Sequence, residues 1–348
     1  MIMAWTIYRS TDSGAPVLNG QTGKILDLLD AILVNGYGSK PAAGWVTEFT
    51  ESTKRVYRPG PAARSRLYLR CRQDVGWYYA SYSGYSVMTD IDTGTDPFPS
   101  TTYPGQTADV NWFVASYAVD STTRSWMAAA DDRTLILFTK PQAGMLWLVD
   151  YIGEFESYAT NDAYQFMVAG TGSFNVTPAI TACALTSGYN EPATVLTPGN
   201  EDLAFRKGMA VAKDYTGIGS AVQANWLRHV SVSFKSENQN SINIGGKFPS
   251  TNPVDGRAWI THIPIYTYTT PYAVRGQLRG LYAPLFRHNA YSDGDTFQVV
   301  SSNFSGSTQD LASSTFTVMK VSGASEGVGD SAVTSVLILQ TSGNPIYT

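Results

Sequence analysis

The spacing of apolar residues changes once along this chain, and early. Ile25, Leu28, Leu29 and Ile32 recur at intervals of three and four, which places one apolar stripe on a helix. Asn19 or Thr22 stands where a cap is needed, and Asn35-Gly36 supplies a left-handed stop. Gly38-Ser39-Lys40-Pro41 then forces a loop. Beyond it the pattern consists of short apolar or alternating runs, broken by Gly, Pro, Asn and Asp. Residues 55–58, 67–71, 77–80, 85–88, 146–151 and 164–169 read as strands. Residues 126–130 and 134–138, joined by Asp131-Asp132-Arg133, read as a hairpin. Later, residues 259–263, 265–269, 315–321 and 332–340 resume strand character.

Frequent short strands with turn punctuation argue for a mainly β fold, sandwich-like or barrel-like, with one N-terminal amphipathic helix and long loops. Helices alternating with strands are absent from the pattern, which excludes a doubly wound α/β fold. The expected organisation is an N-terminal helix plus β domain over 1–157 and a C-terminal β domain over 158–348. The latter carries an irregular insertion at about 171–251, punctuated by Pro178, Pro192 and Pro198. The alternative is one composite β fold.

Composition narrows the class. Of 348 residues, 43% are hydrophobic, 12% aromatic and only 15% charged, below the roughly 25% charge of ordinary globular domains. Tyr contributes 21 residues, and a Tyr can bury its ring while its hydroxyl still hydrogen-bonds. This profile suits β sheets and interfaces, and it is opposite to that of disorder. The net charge of −4 argues against a nucleic-acid partner. The one basic cluster, Arg64, Arg66, Arg70 and Arg72, is expected along one strand face. Cys71 and Cys183 are too few for a disulfide framework and are expected to be reduced. No window is apolar enough for a membrane-spanning helix, and Met1-Ile2-Met3-Ala4-Trp5 lacks a basic n-region; synthesis in a cytoplasm is expected.

Catalytic signals are sparse. Asp92-Thr93-Gly94-Thr95 matches the aspartic-protease signature, but one copy supplies one carboxylate, and Asp96-Pro97-Phe98-Pro99 interrupts the strand such a turn requires. An Asx turn is the expectation. Asp90, Asp92 and Asp96 around Gly94 form a candidate calcium loop without the EF-hand pattern. His229, His262 and His288 have no metal-ligand spacing, and there is no nucleophile elbow or P-loop. Glu154 and Glu156 are expected on a solvent-facing strand side. No catalytic residue, cofactor or metal is therefore assigned.

Several segments, in order, resemble one family. They are residues 8–18, 28–40, 90–99, 130–134, 153–155 and 162–164, then Arg275-Gly276-Gln277-Leu278-Arg279-Gly280-Leu281-Tyr282 and Asp293-Gly294-Asp295-Thr296-Phe297. Together they resemble a family of tailed-bacteriophage virion structural proteins. The resemblance implies a non-enzymatic part of a phage particle, made in the bacterial cytoplasm and residing in the virion. It would be homo-oligomeric, contacting capsid, head-tail or tail components, as a peripheral head decoration or attachment protein or a tail-associated one. The alternative is a receptor- or carbohydrate-binding tail module. Tyr8, Tyr37, Trp77, Tyr78, Tyr79, Arg275, Arg279 and Tyr282 are the interface candidates.

Overall fold

The computed structural model describes residues 5–98, 111–172, 209–211, 260–266, 274–284, 292–298, 314–322 and 334–343. The first third holds β1 (Thr6–Arg9), helix α1 (Lys24–Asp30) running into a π-helical turn (Ala31–Asn35), β2 (Val46–Thr50), β3 (Lys54–Arg58), β4 (Tyr68–Arg72), β5 (Tyr79–Tyr85), β6 (Val87–Met88) and β7 (Gly94–Thr95). Next come β8 (Asn111–Val114), β9 (Ser125–Ala130), β10 (Thr134–Lys140), β11 (Leu148–Glu154), β12 (Glu156–Ser157), β13 (Phe166–Ala169) and β14 (Thr171–Gly172). The last are β15 (Met209–Val211), β16 (Ile260–Tyr266), β17 (Val274–Pro284), β18 (Thr296–Gln298), β19 (Thr315–Ser322) and β20 (Thr334–Gln340).

These strands make three six-stranded antiparallel sheets and a two-stranded ribbon, and the fold is mainly β with no closed barrel. The middle sheet has the order β1-β9-β10-β11-β13-β15. The helix-side sheet runs β14-β8-β5-β4-β3-β2; the C-terminal sheet runs β12-β17-β20-β19-β18, with β16 also on β17. Strands on both sides of position 158 thus share the middle sheet.

Side-chain alternation explains the stacking. Successive strand residues point to opposite faces. Tyr8, Ala128, Ala130, Leu135, Leu137, Ile152, Phe166 and Val168 enter one core, against Tyr57, Leu69, Ala80, Tyr82 and Phe113 of the helix-side sheet. Ile7, Met127, Ala129, Ile136, Phe138, Val149, Tyr151 and Met167 enter a second core, against Ile263, Leu278, Leu281, Met319, Val321, Leu337 and Leu339 of the C-terminal sheet. Both faces of β9 and β10 are buried, which is why residues 126–130 and 134–138 read as unbroken apolar runs instead of alternating ones.

The helix closes the first core with Ile25, Leu26, Leu28, Leu29, Ile32 and Leu33, all buried. Neither expected cap is used. Gly23 holds the cap position; Asn19 accepts the Gln21 N–H at 2.9 Å, and the Thr22 hydroxyl accepts the Gly76 N–H at 2.9 Å. A missing cap costs about 1 kcal/mol, whereas each buried aliphatic side chain contributes roughly 1.5–3 kcal/mol, so packing decides. The π-helical turn frees carbonyls that the incoming chain satisfies: Ala43 N donates to Ile32 O at 2.8 Å, and Trp45 N to Leu33 O at 3.0 Å.

Several sequence expectations are corrected by this arrangement. The candidates 77–80 and 85–88 resolve into the single strand β5 followed by the ribbon strand β6, because the helix-side sheet buries all of β5. Of the candidates 259–263 and 265–269, residues 260–266 form one strand, β16, with a break in register between His262 and Pro264, and residues 259 and 267–269 lie outside the described residues. Of the basic cluster, only Arg70 and Arg72 lie on β4; Arg66 sits before it at φ 47°, so the four do not share a strand face. Most of 171–251 falls outside the described residues, but β14 and β15 within it pair into two of the sheets.

Gly153 shows how tightly β11 approaches the β9–β10 turn. Its φ is 115°, and an added Cβ would lie 2.3 Å from the Arg133 carbonyl oxygen. Gly153→Ala should destabilise the protein by about 1–3 kcal/mol or more, read from urea unfolding midpoints; an unchanged midpoint would mean the turn and strand are not so close.

Candidate functional site

The largest concentration of buried charge lies where the β9–β10 turn meets β17. Asp131 folds the turn: its Oδ1 accepts the N–H groups of Arg133 at 3.0 Å and Thr134 at 2.9 Å. The same carboxylate takes Arg279, with Nη2 to Oδ2 at 2.6 Å and Nη1 to Oδ1 at 3.2 Å. Arg279 Nη1 also donates to Thr134 Oγ1 at 2.6 Å. Both side chains of this pair are fully buried, at 0% exposure each. Burial alone would lower the Arg279 pKa, but the charge and hydrogen bond of Asp131 outweigh it and raise it. The Tyr151 hydroxyl accepts the Arg279 N–H at 3.1 Å and donates to the Glu154 carbonyl at 2.7 Å.

A bulge delivers Arg279. His262 pairs with Tyr282 while Pro264 pairs with Gln277, so residues 278–281 lie opposite Ile263 alone. Gly280 makes the bend at φ 67°, where a Cβ would lie 2.5 Å from the Trp5 ring. Two further ion pairs extend the cluster. Arg133 Nε donates to Glu154 Oε2 at 2.6 Å, and Glu154 Oε1 accepts the Ser65 N–H at 2.6 Å. Arg275 grips Asp162 with two bonds of 2.8 Å, and Asp162 also accepts the Ser157 hydroxyl at 2.8 Å and the Tyr164 N–H at 2.9 Å.

Glu156 is the strained member. Its Oε2 lies 3.7 Å from Arg133 Nη2, beyond hydrogen-bond reach. Burial raises its pKa, opposed by the charges of Arg133, Arg279 and Arg64. A raised folded pKa means the folded state binds this proton more readily, so the site stabilises at low pH and that contribution fades as pH climbs through the folded pKa. Glu156→Gln should therefore raise the melting temperature at neutral pH, with a smaller gain near pH 4. A melting temperature lowered at neutral pH would contradict the raised pKa.

Chemically, this arrangement holds layers together. Arg275 and Arg279, on a strand of the C-terminal sheet, are salted to Asp162 and Asp131, the latter on the middle sheet's hairpin turn. Asp131, Glu154 and Asp162 are each engaged by a guanidinium. Glu154 and Glu156, expected on a solvent-facing side, are buried at 0% and 8% exposure; Glu154 sits opposite Phe166 on the helix-side face of the middle sheet and is enclosed by the Ser65 N–H, Arg133 and Gln165.

The Asp90–Asp96 loop does something else. Asp92 is bonded by both Lys54 and Arg70. The Lys54 hydrogen bond chiefly, and the Arg70 charge after burial's opposing effect, hold its pKa below the usual carboxylate range. Asp90 accepts the Ile91 N–H at 2.5 Å, and Asp96 sits at φ 49°. Among the described residues no three His, Cys, Asp or Glu side chains are placed to share a metal ion. The loop and ribbon instead pack Met88 and Ile91 against Val56 and Tyr85 on the outer face of the helix-side sheet.

The interface candidates divide. Tyr8, Arg275, Arg279 and Tyr282 are at most 3% exposed and belong to the interior, a correction that the cores on both sides of the middle sheet and the bulge on β17 explain. Tyr8 donates to Pro41 O at 2.8 Å and Tyr282 to Gln340 Oε1 at 3.0 Å. Tyr37 is half-buried and donates to Asp12 Oδ2 at 3.0 Å. Trp77 and Tyr78 remain half-exposed, with Tyr79 buried beneath: Trp77 and Tyr79 rings stack at 4.7 Å, and Tyr78 meets Tyr79 edge-on at 5.3 Å. Tyr117 packs beside them, and burial pushes its hydroxyl up to about 12. His262 lies against the Tyr282 ring at 5.3 Å, and Cys71 is buried and outside any disulfide; His229, His288 and Cys183 lie outside the described residues.

No family model matches this chain, and no curated protein matches it.

Proposed function

We propose that this chain is a non-enzymatic structural component of a tailed-phage virion, oligomeric and peripheral, as a head decoration or attachment protein or a tail-associated one. The observation that carries the reading is the commitment of buried charge to architecture. Arg279–Asp131, Arg275–Asp162 and Arg133–Glu154 tie strands together instead of converging on a substrate. The ordered resemblance of segments from 8–18 to 293–297 supplies the kind of particle. Its low charge and abundant Tyr suit surfaces that become buried on assembly. Mass spectrometry of purified, intact particles tests it: peptides of this chain should be present at a fixed ratio to the major capsid protein. Their absence would overturn it.

A second reading, a receptor- or carbohydrate-binding tail module, is favoured by the half-exposed Trp77 and Tyr78 rings. Soluble protein should then compete with phage adsorption, and the competition should disappear in Trp77→Ala.

A further inference from the structure

Four buried polar atoms gather where the three sheets meet, and none has a hydrogen-bond partner among the described residues. They are Ser65 Oγ, Arg133 Nη2, Glu156 Oε2 and Gln165 Oε1, on residues at most 8% exposed. Glu154 brings them together. Its Oε1 accepts the Ser65 N–H at 2.6 Å, and its Oε2 accepts Arg133 Nε at 2.6 Å and Gln165 Nε2 at 3.2 Å. Glu156 follows two positions later, with its Oε2 3.7 Å from Arg133 Nη2. Each layer contributes. Ser65 precedes β4 of the helix-side sheet, Arg133 and Gln165 flank strands of the middle sheet, and Glu156 lies on β12 of the C-terminal sheet.

A buried polar atom without a partner is costly, and four in one place call for an occupant that pairs with them. Their chemistry selects it. Arg133 Nη2 only donates, the Glu156 carboxylate and Gln165 Oε1 only accept, and the Ser65 hydroxyl does either. An anion would suit Arg133 but face two acceptor oxygens. A metal cation would suit those oxygens but lie beside Arg133, in the field of Arg279 and Arg64, whose charges also act on Glu156. Nor are three His, Cys, Asp or Glu side chains among the described residues placed to share such an ion. Water is neutral, donates twice and accepts twice. A separation of 3.7 Å is too long for a direct bond and suits two groups that share one bridging water. An internal water makes about three hydrogen bonds. We propose that the junction of the three sheets binds an internal water, which accepts from Arg133 Nη2, donates to Glu156 Oε2 and Gln165 Oε1, and has the Ser65 hydroxyl as its fourth partner. The C-terminal sheet is then joined to the middle sheet through this bridge as well as through Arg279–Asp131.

A crystal structure of the purified full chain, at a resolution that shows ordered solvent, tests the site. A density peak should lie about 2.7–3.2 Å from both Arg133 Nη2 and Glu156 Oε2. Magnetic relaxation dispersion of labelled water adds a count of long-lived internal waters in solution. Glu156→Gln keeps an acceptor oxygen and should hold as many as the wild type, whereas Glu156→Leu should hold one fewer. Circular dichroism melts check that both variants fold; if Glu156→Leu does not, the wild-type density decides alone. A direct Arg133–Glu156 bond with no peak beside it would overturn the proposal. So would a peak about 2.0–2.6 Å from the surrounding oxygens, the signature of a bound cation. An unchanged water count in folded Glu156→Leu would overturn it as well.

Discussion

Replacing Arg279 with Met leaves Asp131 buried without its cation and lowers stability by about 3–5 kcal/mol. Asp131 has 0% side-chain exposure, and Arg279 gives it two of its hydrogen bonds. Water cannot reach the carboxylate to compensate. The remaining donors, the N–H groups of Arg133 and Thr134, hold only Oδ1. Removing the charge as well should restore much of the loss. Asp131→Asn keeps an oxygen for those two N–H groups, so the double variant Asp131→Asn/Arg279→Met should be more stable than Arg279→Met alone. Chemical denaturation of the wild type, both single variants and the double variant completes the cycle. Additive losses would mean the two residues do not interact, and the bulge on β17 would then need another explanation.

The second large effect separates a three-layer stack from a two-layer sandwich. Ile136 and Leu137 are neighbours on β10; Ile136 enters the core shared with the C-terminal sheet and Leu137 the core shared with the helix side. Each is at most 1% exposed. Ile136→Ala and Leu137→Ala should each cost about 2–5 kcal/mol. In a sheet with one solvated face, one of two adjacent positions would tolerate the change within about 0.5 kcal/mol. Urea unfolding of both variants decides it, and a near-neutral result at either position would remove one of the two outer layers.

Much of the β architecture was legible in the pattern of residues. The hairpin from Trp126 to Phe138 announced itself, because both strands are apolar throughout and a polar triplet separates them. The helix was equally visible from Ile25, Leu28, Leu29 and Ile32, but its start was not. Asn19 and Thr22 have cap chemistry, yet tertiary contacts to Gln21 and Gly76 take their oxygens. The strand β17 escaped notice for a physical reason. Arg275, Gly276, Gln277, Arg279 and Gly280 are poor strand formers, and their burial depends on Asp162 and Asp131 more than a hundred positions away in the chain.

The ion-pair cluster was hidden for the same reason. Glu154 and Glu156 alternate as solvent-facing residues would, and only partners remote in the chain, Ser65 and Arg133, reveal Glu154 as internal. The Asp131-Asp132-Arg133 turn looked like surface punctuation, but charged residues between two fully apolar strands are a signal that both strands, and the turn with them, lie between layers. Asp92 is the opposite case, a residue whose protease-like spelling was already outweighed by the turn reading. The Asp-Thr-Gly spelling suggested chemistry, and its partners Lys54 and Arg70 come from neighbouring strands that local spelling does not reveal.

A side-chain-resolution map of the purified particle decides whether this polypeptide acts by being built into it. The expected map holds the three-layer stack in repeated, symmetry-related copies, with the Arg279–Asp131 pair sealed inside each. A map fully explained by other chains, with this one left free in the lysate, would contradict a structural role in the virion.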